Sequence, residues 1–205
     1  MARMHHAPVD GLSWRIEHGF APGAADQAAR LYWQAFGAKL GVLLGPEPRA
    51  LRFLTRTIRA DHAFAAVGPD GTVLGVAGYC SNRGSLVRIS HDTLRAAYGP
   101  VGALWRAALI WALTREVENR RFLLDGICVA EPCRGRGMGR ALLHAICAEA
   151  RARGYAEVRL DVVEHNRRAI ALYEREGFVA VRRSRLGLLR YVFGFRASIT
   201  MVRPV

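Results

Sequence analysis

The chain has 205 residues, 51% of them apolar and 23% charged, with a formal net charge of +13. This composition is typical of one globular domain with a sizeable core and excludes the disordered and fibrous classes. No apolar run reaches the roughly 20 residues of a membrane helix, and the first residues lack the hydrophobic core of a secretory signal. We therefore expect a single cytoplasmic domain over residues 1–205 that does not enter a membrane.

Arginine supplies nearly all of the positive charge, because Lys39 is the only lysine. The arginines are scattered, and neither an aromatic-basic stacking platform nor a helix-turn-helix pattern is present, so we expect no specific nucleic-acid partner. The four cysteines form no CxxC pair and have no histidine at zinc-ligand spacing. We expect them to be reduced and the protein to hold no metal.

The first half of the chain predicts a strand, two helices and a hairpin. The strand covers residues 12–20, and the helices cover 24–36 and 48–58, the second opened by a proline. The hairpin joins 62–67 to 72–80 through a Gly-Pro-Asp-Gly turn. A helix from about 102 to 119 follows, apolar on all sides except at Arg106, and packs within the domain or at a subunit contact.

The second half has a more regular pattern. It predicts a strand at 122–130, a glycine-rich loop, a helix with a core stripe, and a strand at 156–163. A further helix at 166–176 and two strands at 177–185 and 197–203 complete the chain. Strand, helix and strand here form a crossover unit, so the fold class is mixed α/β.

The loop "RGRGMG" lies between a strand and a helix N-terminus, which is where unpaired N–H groups and the helix dipole bind phosphate. The glycines follow G-x-G-x-G, so neither the P-loop nor the dinucleotide fingerprint matches. Arg134 and Arg136 add positive charge. Taken alone, the loop also fits a tight connection whose glycines only turn the chain.

A second motif follows in "NRRAIALYEREGF", where Asn166, Ala169, Ile170 and Tyr173 share one helical face. Together with "VAEPCRGRGMGRALL", in this order and spacing, it resembles the GNAT superfamily of N-acetyltransferases. The resemblance is strong over about 122–182 and compatible with the first two helices and the hairpin. It implies an acyltransferase of bacterial type that uses acetyl-coenzyme A.

The resemblance also implies a GNAT-type fold: a mixed, mostly antiparallel sheet of about seven strands flanked by helices. The predicted fourth and fifth strands splay apart, and a helical insertion separates the third from the fourth. By resemblance, the backbone of one strand pairs with the pantetheine arm, the loop wraps the pyrophosphate, and an asparagine hydrogen-bonds the arm. The implied cofactor-binding residues are Ile127, Cys128, Val129, Arg134, Gly135, Arg136, Gly137, Met138, Gly139, Arg140, Asn166 and Tyr173.

Acetyl transfer to an amine needs a deprotonated amine, a polarised carbonyl and a protonated leaving thiolate. The resemblance assigns the acid to Tyr173 and carbonyl polarisation to an N–H near Val129. Asp125, which interrupts an apolar strand, is a candidate base or a satisfied structural carboxylate. Asp161, with Glu164 behind it, is the alternative, and a water chain is a third.

For the acceptor we expect a small amine, an amino acid derivative or a peptide N-terminus, because a surface at +13 repels polycations. The apolar segment 187–195 predicts a partly apolar acceptor pocket. The alternative function is an acetyl-coenzyme A-binding regulatory or nucleic-acid-associated protein without turnover. A homodimer through the helix at 102–119 or the last strand is a further expectation.

Overall fold

Eight strands form one sheet and five α-helices pack on it in the computed structural model, which describes residues 4–5, 13–81, 83–114, 122–187 and 194–205. The strands are β1 (Met4–His5), β2 (Arg15–His18), β3 (Ala63–Val67), β4 (Val73–Cys80), β5 (Phe122–Val129), β6 (Glu157–Val163), β7 (Val179–Arg185) and β8 (Ala197–Pro204). The helices are α1 (Ala25–Leu44), α2 (Glu47–Thr57), α3 (His91–Thr114), α4 (Met138–Ala152) and α5 (Arg167–Arg175).

The strand order is β1-β2-β3-β4-β5-β6-β8-β7. Every neighbouring pair is antiparallel except β5 and β6, which are parallel. The mixed, mostly antiparallel sheet expected from the resemblance is therefore confirmed. Seven strands correspond to the predicted ones, and the two-residue β1 is an addition, so the predicted fourth and fifth strands are β5 and β6.

Two apolar cores lie on opposite faces of the sheet. Neighbouring residues of β3 and β4 alternate between the two cores. Ala66 and Ala77 belong to the core under α4. Ala65 and Val76 belong to the core under α1, α2 and α3. Successive side chains of a strand point to opposite faces, so this alternation defines a three-layer arrangement. The sheet is thus covered by helices on both sides.

The predicted hairpin is confirmed by the antiparallel pairing of β3 with β4. The N–H of Gly68 donates to the carbonyl of Thr72 at 2.9 Å, and Asp70 accepts from the backbone and hydroxyl of Thr72. Gly71 has φ of +85°, a conformation that side chains disfavour.

The first helix is longer than predicted, because α1 continues beyond residue 36 to Leu44. Its last turn is buried by Leu43 and Leu44, and two side chains of α3 cap its final carbonyls. Tyr98 donates to the carbonyl of Leu44 at 2.8 Å, and the buried guanidinium of Arg106 donates to that of Leu43 at 2.6 Å. Tertiary contacts therefore extend the helix past the predicted end.

The helix predicted at 102–119 begins earlier, at His91, and residues 115–119 lie outside the described parts of the chain. Ser90 and Thr93 exchange side-chain to backbone hydrogen bonds that cap its start. A break at Gly99, with φ of +72°, and Pro100 divides it into two segments. None of the helices that the structure describes is both long and apolar enough to span a bilayer.

Candidate functional site

The two parallel strands, β5 and β6, pair only where they begin. Three residue pairs join them, the last between Leu124 and Leu160. Beyond that pair, β5 continues along β4 as far as Val129, and β6 continues along β8 as far as Val163. The strands diverge, and residues 125–129 leave one edge of β5 without a strand partner.

A β-bulge marks the point of divergence. In the ladder between β4 and β5, Tyr79 pairs with Leu124 and Gly78 pairs with Gly126. Asp125 is the extra residue between them, as expected for a bulge, which bends its strand and re-aims its side chains. The bulge coincides with the end of pairing between β5 and β6.

Asp125 and Gly126 both face α1 and its side of the sheet. A Cβ on Gly126 would lie 2.7 Å from the ring of Phe36. The pKa of Tyr32 is raised mainly by burial and, in second place, by the negative charge of Asp125. Burial also raises the pKa of the Asp125 carboxyl to about 6, and no described residue donates a hydrogen bond to it. A half-buried carboxyl with a raised pKa suits a general base.

The glycine loop leads directly into α4. Gly135 and Gly137 have φ of +85° and +79°, and Gly137 is the N-cap, with no side chain capping the helix. The first helical hydrogen bond runs from Ala141 N–H to the Gly137 carbonyl at 3.0 Å. The N–H groups of the first turn, between these residues, lack a side-chain acceptor and point outward with the positive end of the helix dipole.

A cleft of about 800 Å³ joins the open edge of β5 to this helix N-terminus, and α1 and α5 form its other walls. Such a volume is ordinary for a small-molecule site. The predicted cofactor residues that line it are Ile127, Cys128, Val129, Arg134, Gly135, Gly137, Met138, Gly139, Arg140 and Asn166. Arg136 and Tyr173 do not line it.

Arginines give the cleft a positive wall. Four of them line it: Arg134, Arg140, Arg168 and Arg175. The opposing charge is Glu176, which pairs with Arg140 at 2.8 Å and with His144 at 2.6 Å. The cleft therefore carries a surplus of guanidinium groups, which bind phosphate in a planar, bidentate manner.

The residues predicted to share one face of α5 lie partly in the cleft and partly in the apolar core. Asn166 caps α5 by accepting from Ala169 N–H at 3.2 Å, and both residues line the cleft. Tyr173 is only 8% exposed and packs against Phe178, with ring centroids 5.9 Å apart. Burial raises the pKa of Tyr173 to about 12, so the phenol is a donor at any physiological pH.

The alternative carboxylates already have partners outside the cleft. Asp161 accepts from Thr200 Oγ1 at 2.5 Å and from Arg159 at 3.1 Å. Glu164 pairs with Arg183. None of the three carboxylates lines the cleft, although Asp125 lies two residues before Ile127 and Glu164 two residues before Asn166, both of which do.

Sequence reasoning missed two sets of cleft residues. Gln34, Ala35 and Phe36 come from α1, in which no residue was predicted to line the cleft. Arg168 and Arg175 lie seven residues apart on α5, a spacing that places them on one face. The spacing of these two arginines indicates a shared positive face in the sequence itself. The sequence pattern of α1 contains no corresponding indication that this helix lines the cleft.

The splayed parallel strands and the start of α4 define a cleft with an open strand edge at one end and free helix N–H groups at the other. Residues 25–178 match the acetyltransferase (GNAT) family model. The chain belongs to this family, in agreement with the resemblance drawn from its two motifs.

Streptothricin acetyltransferase from Streptomyces lavendulae is 32% identical to this chain over 126 residues, and the match spans 62% of each protein. A solved acetyltransferase structure superposes with a TM-score of 0.61 at 19% identity, covering 93% of this chain and 98% of that one. A GCN5-related N-acetyltransferase from Kribbella flavida gives 0.59 at 20% identity, covering 94% and 98%. At such identities the structural matches establish the fold.

Proposed function

We propose that the protein is an N-acetyltransferase that moves the acetyl group of acetyl-coenzyme A directly to a primary amine. The observation that carries the proposal is the continuous cleft from the unpaired edge of β5 at 127–129 to the start of α4, which no side chain caps. An amide-containing arm fits the first part as an additional strand would, and a pyrophosphate fits the second. Four arginines around the same cleft support the assignment of phosphate to it.

The bound cofactor would supply the activated acetyl group, and the chain would orient it and move the protons. Asp125 is our candidate base, since its carboxyl is half-buried, unpartnered among the described residues and adjacent to the open strand edge. Tyr173 is our candidate acid, since burial keeps its phenol protonated. An N–H near Val129 would polarise the carbonyl. Asp161 is the weaker base candidate, because Thr200 and Arg159 already engage it.

For the acceptor we propose a small-molecule amine, an amino acid derivative or a peptide N-terminus. Tyr32 and Phe36 supply aromatic surface on the face of β5 that Asp125 occupies. The net charge of +13 disfavours polycationic acceptors. The similarity to streptothricin acetyltransferase makes streptothricin a necessary member of the test panel.

Calorimetric titration with acetyl-coenzyme A, followed by thiol release over a panel of amines, tests the proposal. We expect saturable binding and amine-dependent release of free thiol. Binding without turnover on any amine would contradict the transferase and favour the regulatory alternative. Absence of binding would contradict the assignment of the cleft itself.

We also propose that two copies associate through the outer face of α3. Val101, Leu104 and Trp105 are 79%, 70% and 44% exposed there, and the nearby Arg106 turns inward. Contact between the same apolar face of two copies buries no charged group, so the positive net charge of both chains stays in solvent. Light scattering should give a dimer mass for the unmodified protein and a monomer mass for Leu104→Arg.

A further inference from the structure

The only lysine of the chain, Lys39, lies beside the cleft. It follows Phe36 by one helical turn on α1, and its Nζ is 5.7 Å from the centre of the Phe36 ring. On its other side Nζ is 5.6 Å from the centre of the Phe195 ring, just before β8. The amine is therefore held between two aromatic rings that come from distant parts of the sequence.

No described carboxylate pairs with Lys39, whereas the carboxylate of Glu176, in the cleft wall, is taken by Arg140 and His144. Burial lowers the pKa of Lys39 from its usual value. More of this amine is consequently unprotonated near neutral pH than in a solvated lysine, and only the unprotonated form attacks a carbonyl.

The surroundings of Lys39 connect it to the proposed reaction centre. Phe36 lines the cleft and covers Gly126, the residue before Ile127. Asp125 faces the same side of β5. The side chain of Lys39 is thus separated by one aromatic side chain from the strand edge where the proposed function places the acetyl group.

We propose that Lys39 is a self-acetylation site, at which the protein transfers an acetyl group from acetyl-coenzyme A to its own Nζ. The inference rests on the proposed function. In the step, the Nζ lone pair forms an amide bond with the acetyl carbon and the carbon–sulfur bond of the thioester breaks. The proton lost from Nζ passes to Asp125 or solvent, and the leaving thiolate takes a proton from Tyr173.

Acetylation would remove the positive charge between the two rings and lengthen the side chain. Both changes would occur beside Phe36, which lines the cleft and belongs to the aromatic surface that the proposed function assigns to the acceptor. We therefore expect protein that has been incubated with acetyl-coenzyme A to turn over added amines more slowly. Lys39→Arg, which keeps the charge but cannot form a stable acetyl amide, should not slow down.

The test incubates the full chain with acetyl-coenzyme A and no acceptor, then measures intact mass and maps the labelled peptide. We expect one acetyl group on Lys39, stable to hydroxylamine, and none in Lys39→Arg. The labelling rate per chain should not change with protein concentration, because the reaction is intramolecular. Asp125→Asn should slow it roughly a hundredfold, the contribution of a general base.

Several outcomes would overturn the inference. These are a label that persists in Lys39→Arg, a hydroxylamine-sensitive label on Cys133, which also lines the cleft, or a rate proportional to protein concentration. Turnover of external amines without any label on Lys39 would overturn this inference alone. Absence of acetyl-coenzyme A binding in calorimetry would overturn it together with the proposed function.

Discussion

Replacing Asp125 by asparagine should lower activity and raise stability at the same time. The change keeps the shape of the side chain and removes its charge. Burial raises the pKa of the carboxyl from 3.8 to about 6, so ionisation costs the folded protein more than the unfolded chain. This rise of the pKa corresponds to about 3 kcal/mol, which is an upper bound because solvent screens the charge of a half-buried group.

The sign of the pH dependence follows from proton binding. Between about pH 4 and pH 6 the unfolded chain has lost the proton of Asp125 while the folded protein still holds it. The contribution of Asp125 to stability therefore falls as the pH rises through this window and stays low above it. Asparagine never ionises, so the variant should be more stable than the unmodified protein at pH 7 and nearly equal to it below pH 4.

Urea unfolding of both proteins between pH 4 and pH 8 measures the difference, and thiol release at pH 7 should fall roughly a hundredfold in the variant. Asp161→Asn is the matched control. It weakens the hydrogen bond from Thr200 and the ion pair with Arg159, and should destabilise the fold by about 1 kcal/mol. A variant Asp125→Asn that is less stable at pH 7, or a difference that does not widen between pH 4 and pH 6, would refute the desolvation argument.

Gly137→Ala and Gly71→Ala should each lower the free energy of unfolding in urea by about 1 kcal/mol, because both positions have positive φ. Only Gly137→Ala should also weaken acetyl-coenzyme A binding in calorimetry. Equal affinities of the two variants would contradict the role of the loop. Tyr173→Phe should reduce the turnover rate about a hundredfold with unchanged cofactor affinity, and a full-rate variant would remove Tyr173 as the acid. Arg106→Ala leaves the carbonyl of Leu43 without its donor and should cost about 3 kcal/mol, seen as a lower Tm; an unchanged Tm would show that the contact is dispensable.

Periodic patterns predicted the elements around the loop well. The stripe predicted for the helix after it, Met138, Ala141, Leu142, Ala145 and Ile146, is buried throughout. The loop and the crossover followed from local patterns, which short segments of sequence encode. The splayed strands were implied by the family resemblance that the two motifs carry, and not by the local pattern of either strand.

The tertiary details of the site were not predictable in the same way. The alternation of apolar residues along β5 does not indicate a bulge at Asp125. Because of the bulge, the next residue, Gly126, faces Phe36. The contribution of α1 to the cleft depends on how the helix docks, which periodicity does not report. The sequence does mark the early start of α3 with the capping pair Ser90 and Thr93, which is polar and so forms no part of an apolar repeat.

The ladder between β5 and β6 has a mechanical consequence for the whole sheet. In the described strand order it is the only direct backbone link between a block of five strands, β1 to β5, and a block of three, β6 to β8. Three residue pairs join the two blocks at one end of the strands, and the apolar core under α4 contains side chains of both blocks. A ligand in the open part would contact β5 on one block and α5, which follows β6, on the other. We therefore expect occupancy of the cleft to add contacts between the two blocks on the side where their own backbone pairing has ended.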